Sequence, residues 1–250
     1  MKQALLGGAK TVCVSVLVTA CGLLAYDRLV VRPAQAVCPD AMRTLFDMIG
    51  DAASPLAIIG GAGWNAKART YFQQFAESIG LPVATAFRRQ DAIAPDSPVY
   101  AGNLGYGPGP KLLERVRQAD LIIAVGARLG EATTDGYEVP TLEHPGQTLV
   151  HIHPDPEELG RVYRTDLALC CAVDEFAECA ALWEDEGIIA FDAGAEAHRE
   201  WLDWSTPQPS GAQIDLGMCV KAMREAMPAD TVICNSIISA SYTPGAGNIW

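Results

Sequence analysis

At 250 residues, half of them hydrophobic, the chain has apolar material for one large domain or for an ordinary domain with appendages. Its formal net charge of -12 argues against a nucleic-acid surface, which needs clustered Lys and Arg facing phosphate. The eight cysteines contain no Cys-x-x-Cys pair and sit mostly in apolar runs, so they read as buried, reduced thiols and not as a structural zinc site.

Residues 1–36 differ from everything after them. Lys2 and Lys10 precede the apolar run Thr11 to Tyr26, and Asp27, Arg28 and Arg32 follow it, which is a targeting or anchoring pattern. Three readings stay open. Ala34-Gln35-Ala36 has the small-x-small form of a signal-peptide processing site, Val18 to Gly22 resembles a bacterial lipobox, and an uncleaved anchor would touch the inner membrane through residues 11–31. The basic residues on the two flanks are too evenly matched to set an orientation.

From Pro39 the pattern is that of a folded domain. Asp40 is expected to cap a helix whose apolar positions Met42, Leu45, Phe46 and Ile49 fall on one face. Leu56 to Ile59 is a short apolar run without a polar face, which suits a strand buried on both sides of a parallel sheet. Gly61, Gly63 and Ala66 follow it with the spacing G-x-G-x-x-A, a phosphate-binding corner or simply a sharp turn. Asn65 is placed to cap the next helix, whose core face is Tyr71, Phe72, Phe75, Ala76 and Ile79 and which closes at Gly80.

Pro82 to Phe87 reads as the second strand. An acidic residue at its end would hold the ribose of NAD, but Arg88 and Arg89 stand there, favouring an extra phosphate or another nucleotide arrangement. Ala101 to Pro110 is too rich in glycine for a regular element and too long for a simple turn, and long ordered loops carry function. Pro110 opens a helix through Leu112, Leu113 and Val116. Leu121 to Val125 is a buried strand emptying into Gly126-Ala127-Arg128-Leu129-Gly130-Glu131.

Two glycine-bearing loops after two buried strands place a ligand at the carboxyl edge of a doubly wound, mostly parallel α/β sheet. Thr148 to His153 is the next strand, with His151 and His153 on one face and Asp155 close by. Those three with His144 could be drawn as a metal site, but a strand end whose His and Asp touch a nucleotide or the surface is the better reading. Leu167 to Ala172 is a further strand, Asp174 caps a helix through Phe176, Ala177 and Leu182, and Glu184 to Glu196 is a charged linker. Beyond it come Trp201 and Trp204 on a helix, a helix near Ile214 to Met227 and a strand Thr231 to Cys234.

Taken in order, Ile59 to Gly63, Gly102 to Gly107, Val125 to Gly130 and His151 to Gly160 resemble the central, Rossmann-like domain of thiamine diphosphate-dependent enzymes of the acetolactate synthase type. The resemblance covers about three quarters of the chain and divides it into an anchor-like segment 1–36, a central domain 37–183, and a tail 184–250 that looks like a linker and the truncated start of the family's thiamine diphosphate-binding domain. It implies decarboxylative carboligation of 2-keto acids in a cytoplasmic homo-oligomer, with thiamine diphosphate as electron sink and magnesium holding its diphosphate.

The family's activating glutamate domain and its Gly-Asp-Gly metal motif are not in this sequence, so the expectation is a chain inactive alone, with no catalytic or metal-ligating residue of its own. The central domain holds FAD in acetolactate synthases, and carried over residue by residue the groove is lined by Gly61, Gly63, Gly105, Arg128 and Asp155, with Arg88 added from the reading above. His153 stands where many flavin-binding members have an aspartate. The alternatives are a membrane-tethered module binding FAD or NADP without catalysis, and an NADP-linked oxidoreductase, ranked last because no proton donor or hydride-transfer constellation accompanies the glycine motif.

Overall fold

The computed structural model describes residues 37–140, 146–183, 190–209, 211 and 214–228. The anchor-like segment 1–36, His144 and the strand expected over Thr231 to Cys234 lie outside the described residues. Among the described residues no helix is long and apolar enough to cross a membrane.

Helix α1 (Pro39–Asp51) leads into β1 (Pro55–Ile59), α2 (Ala66–Ile79), β2 (Val83–Thr85), a short 3-10 turn, β3 (Tyr100–Asn103), α3 (Pro110–Gln118) and β4 (Leu121–Val125). After these come β5 (Thr148–Ile152), β6 (Leu167–Leu169), α4 (Val173–Ala181), α5 (Ala193–Ser205) and α6 (Leu216–Ala226). The six strands form one sheet in the order β3-β2-β1-β4-β5-β6, and every neighbouring pair is parallel. The chain leaves β1 toward one edge and returns to β4 on its other side, which is the doubly wound arrangement.

The central strands explain why their sequence has no polar face. All five residues of β1 and all five of β4 are buried. Ala57, Ile59, Leu121, Ile123 and Val125 face a core shared with α1, α2 and α4, while Leu56, Ile58, Ile122 and Ala124 face a second core shared with α3. Alternation along a strand feeds both layers, and each buried Leu, Ile or Val contributes about 1.5–3 kcal/mol. On α1 the four positions read from the helical period, Met42, Leu45, Phe46 and Ile49, are the buried ones.

Several local expectations are corrected. Asp40 does not cap α1: Cys38 is the N-cap, Pro39 opens the helix, and the Asp40 carboxylate meets Arg43 at 3.6 Å. Asp174 does not cap α4 either, since the helix starts at Val173 and the Asp174 carboxylate accepts from Asn65 Nδ2 and Glu175 N. The strands expected over Pro82 to Phe87 and Leu167 to Ala172 are three residues each. Cys38 and Cys219 are exposed, although Cys171 is buried as expected and every cysteine described is free.

The larger correction is β3. Gly102 does not end regular structure, because Tyr100, Gly102 and Asn103 pair with Val83, Ala84 and Thr85 of β2 as an edge strand, with a register shift that passes over Ala101. Gly102 sits at φ +113°, and a Cβ there would come within 3.0 Å of Trp201 Cδ1, so the missing side chain lets the indole of α5 lie on the strand. Helix α5 is held against β3 by that indole, 4.8 Å from the Tyr100 ring, and by His198 Nδ1, which lies 3.0 Å from Tyr100 O. The Gly194 amide adds a hydrogen bond to Gly80 O.

Gly61 carries the tightest contact of the fold. It sits at φ +70°, and an added Cβ would lie 1.9 Å from the carbonyl oxygen of Gly126. Gly61→Ala is expected to destabilise the protein by about 2 kcal/mol or more. Gly50→Ala, in a helix and with open space around it, is expected to be neutral or to stabilise by up to about 1 kcal/mol. Urea unfolding of the two variants checks both signs.

Candidate functional site

All strands being parallel, the loops that follow them gather along one carboxyl edge. The ladder hydrogen bonds run past the strands into those loops: Ala86 N donates to Ile59 O, Gly60 N to Val125 O, Gly126 N to Ile152 O and His153 N to Leu169 O. The loop starts are therefore fixed by the sheet itself.

At the switch between β1 and β4, Gly60-Gly61 and Gly126 lie backbone against backbone. Trp64 closes the floor, its Nε1–H donating to Gly60 O at 2.7 Å. Gly63 faces Val173 at the start of α4, where a Cβ would sit 3.4 Å from the valine Cβ. Asn65 caps α2 by accepting from Ala68 N while its amide donates to Asp174. The glycine spacing is thus fully used by close packing of two loops and a helix start.

To one side of this floor, Arg88 stands exposed at φ +63°, with its guanidinium over the Phe87 ring at 5.0 Å. Phe87 meets Tyr106 edge-on at 5.1 Å, and Tyr106 is 56% exposed. Gly105 makes room for this pair, since a Cβ there would come within 2.8 Å of the Phe87 ring. A main-chain bond from Phe87 N to Thr133 Oγ1 ties the platform to the loop after β4. Arg88 has no carboxylate partner among the described residues, whereas Arg89 is held by Asp91 at 3.1 Å.

On the other side, Arg128 projects from the loop after β4 with a 69% exposed side chain, 3.6 Å from Glu158. The Glu158 side chain is 8% exposed and is also held by Arg161 at 2.8 Å, so Arg128 keeps most of its donors toward solvent. Leu129, next in the chain, is buried at φ +50°, a strained backbone of the kind that fixes a functional loop. The Asp155 carboxylate caps its own turn by accepting from Glu157 N.

His151 and His153 form the buried wall behind Arg128. His151 Nε2 lies 2.8 Å from Ala127 O, and His153 Nδ1 accepts from Asp155 N at 3.0 Å. Burial lowers the pKa of both imidazoles below the usual 6.5. They are neutral supports of the loops. Among the described residues no three His, Cys, Asp or Glu gather as a cation would require.

All six residues singled out in the sequence lie in or beside the carboxyl-edge loops, though in two kinds of setting. Arg88, Gly105 and Arg128 face the open edge or shape it, Asp155 borders it, and Gly61 and Gly63 lie beneath it. Sequence reasoning missed Phe87, Tyr106 and Glu158. Tyr106 had a signal in its place between Gly105 and Gly107, but Phe87 had none and the Glu158 clamp had none beyond an ordinary acidic pair.

The fold and edge define a doubly wound, all-parallel α/β domain. The chain belongs to the thiamine pyrophosphate enzymes, whose central-domain model matches residues 42–179. It is 25% identical over 190 residues to the acetolactate synthase isozyme 2 large subunit of Escherichia coli, an alignment covering 76% of this chain and 34% of that protein. It is 30% identical over 122 residues to the sulfoacetaldehyde acetyltransferase of Alcaligenes xylosoxydans, covering 49% of this chain and 20% of the relative. These matches span about a fifth to a third of the relatives' lengths. The benzoylformate decarboxylase structure from Polynucleobacter necessarius shares the fold, with a TM-score of 0.58, 21% identity, and coverage of 83% of this chain and 38% of that one.

Because both histidines are held neutral in the fold, their contribution to stability is complete above pH 6.5, the ordinary imidazole value, and is lost as pH falls through their lowered folded values. Thermal melts from pH 8 to 5 are expected to show a plateau and then a decline, and His151→Gln is expected to flatten the decline.

Proposed function

We propose that this chain supplies the central domain of an acetolactate synthase-like enzyme, joining 2-keto acids by decarboxylative carboligation, and that its carboxyl edge holds a nucleotide, FAD, without providing the reacting groups. Thiamine diphosphate, when bound, supplies the electron sink for this chemistry. The described residues do not fit that cofactor's magnesium site, since no acidic or imidazole cluster is gathered among them. They do fit a nucleotide.

The observation that carries the reading is the pair of exposed guanidiniums flanking the glycine floor, Arg88 on its aromatic platform and Arg128 on the strained loop. Guanidinium forks match phosphate oxygens, and the Phe87–Tyr106 platform offers a face to a planar ring. Coulomb attraction to a diphosphate acts at short range here, because the chain's overall negative charge is screened beyond about 8 Å at physiological salt.

Calorimetric titration of the full chain with FAD tests the shelf. Saturable binding is expected, weakened about tenfold in Arg128→Ala and in Arg88→Ala, or about 1.4 kcal/mol each. Absence of heat with FAD would sink the reading, and a clear preference for NADP would return it to the alternative favoured by Arg88 at the end of β2. With pyruvate, thiamine diphosphate and magnesium added, the same chain is expected to form no acetolactate. Formation of that product would overturn the assignment of the reacting groups to other domains.

A further inference from the structure

Where β2 leaves the sheet, one carboxylate is held between two guanidiniums. Ala86 N still bonds to Ile59 O and Arg89 N turns back to Ala86 O, so Arg88, Arg89 and the 3-10 turn Gln90–Ala92 follow the strand directly at the carboxyl edge. Asp91 lies on that turn. Arg69 Nη2, from the first turn of α2, donates to Asp91 Oδ2 at 2.8 Å. Arg89 Nε lies 3.1 Å from Oδ1, and Arg89 Nη2 donates to Oδ2 at 3.3 Å. Arg69 Nε donates in turn to Trp64 O at 3.3 Å, which fastens the group to the floor of the glycine corner. The trio therefore bridges the loop after β1 and the exit of β2.

Stability is a weak reason for such a trio. The Asp91 side chain is 52% exposed and both arginines also reach water, and ion pairs that exposed contribute little to folding. Its place is more informative. In a doubly wound dinucleotide fold the adenosine ribose lies near the end of the second strand, where a carboxylate accepts from its hydroxyls or a guanidinium takes a phosphate on its 2′ oxygen. Both kinds of group stand at this edge, and their pairing decides between them. The guanidiniums of Arg69 and Arg89 are turned onto Asp91, while the exposed carboxylate has lone pairs left for a hydroxyl. A phosphate at the same place would set like charge against Asp91 and would have to draw both arginines away from it.

Resting on the nucleotide reading of this edge, we infer that Asp91 is a specificity-determining residue of the shelf: it accepts a ribose with free hydroxyls and excludes one that carries a phosphate. The two arginines that follow β2 then differ in role. Arg89 is neutralised by Asp91, and Arg88 alone of the two faces the ligand as a free cation.

NAD and NADP differ by that one phosphate and serve as probes, titrated calorimetrically into the full chain beside FAD. The unaltered protein is expected to bind NADP no more tightly than NAD. In Asp91→Asn, which keeps the size and removes the charge, NADP is expected to bind about tenfold more tightly than before, with FAD affinity changed less than about twofold and the melting temperature within about 3 °C. Adding Arg69→Ala and Arg89→Ala is expected to abolish the gain, because the released guanidiniums are what take the phosphate. If Asp91→Asn melts early, Asp91→Ser gives the same comparison. A preference of the unaltered protein for NADP, no gain in the Asp91 variants, or a gain that survives loss of both arginines would each overturn the role of Asp91 while leaving FAD binding untouched. Absence of heat with all three nucleotides would instead overturn the nucleotide reading itself, and the role of Asp91 with it.

Discussion

The contact on which the rest depends is main chain on main chain: Gly60 and Gly61 at the end of β1 against Gly126 at the end of β4. A Cβ on Gly126 would lie 2.5 Å from Gly60 O, and one on Gly61 only 1.9 Å from Gly126 O, so neither loop tolerates a side chain facing the other. Because β1 and β4 are paired residue for residue from Pro55↔Leu121 to Ile59↔Val125, their exits are forced to be neighbours. The crevice of a doubly wound sheet is normally deepest at that switch. Here the two loops fill its floor, Trp64 caps it, and the exposed guanidiniums of Arg88 and Arg128 stand to either side.

Much of this architecture was legible in the residues. The unbroken apolar runs of β1 and β4 have one physical explanation, burial on both faces, and the helical face of α1 was readable position by position, whereas on α2 Tyr71 is only half-buried and Ala68 joins the buried face. The edge strand was not, because Gly102 in a glycine-rich stretch means turn in isolation and means room for an indole only when the distant Trp201 is known. Caps failed for a related reason. Asp40 and Asp174 have the right chemistry for an N-cap, but Pro39 and Val173 open the helices beside them, and the Asp174 carboxylate is claimed by Asn65, far off in sequence.

The position of the six candidate residues at the carboxyl-edge loops was legible, and their local packing less so. Glycine spacing alone cannot separate a residue that admits a phosphate from one that admits another loop, since both need the same missing Cβ and the same positive φ. Arg88 stood out as a cation where an acidic residue would hold a ribose and Arg128 as one within a glycine-bearing loop, and both side chains are exposed. The partners that shape them, Phe87, Tyr106 and Glu158, are set by the meeting of loops from four strands, a property of the sheet order and not of local sequence.

Helix α5 has a consequence of another kind. A parallel sheet ends in a strand whose outer amides and carbonyls are open to pairing with any passing chain, and β3 is such an end. His198 sits at Tyr100 O and Trp201 lies against Gly102, so α5 occupies one edge carbonyl and one face of the strand. The family match stops at residue 179, yet the colloidal safety of the domain resides in the helix beyond it. A fragment trimmed at the family boundary would lose Trp201 from one core and Ala197 from the other, and would expose an edge strand open to self-association.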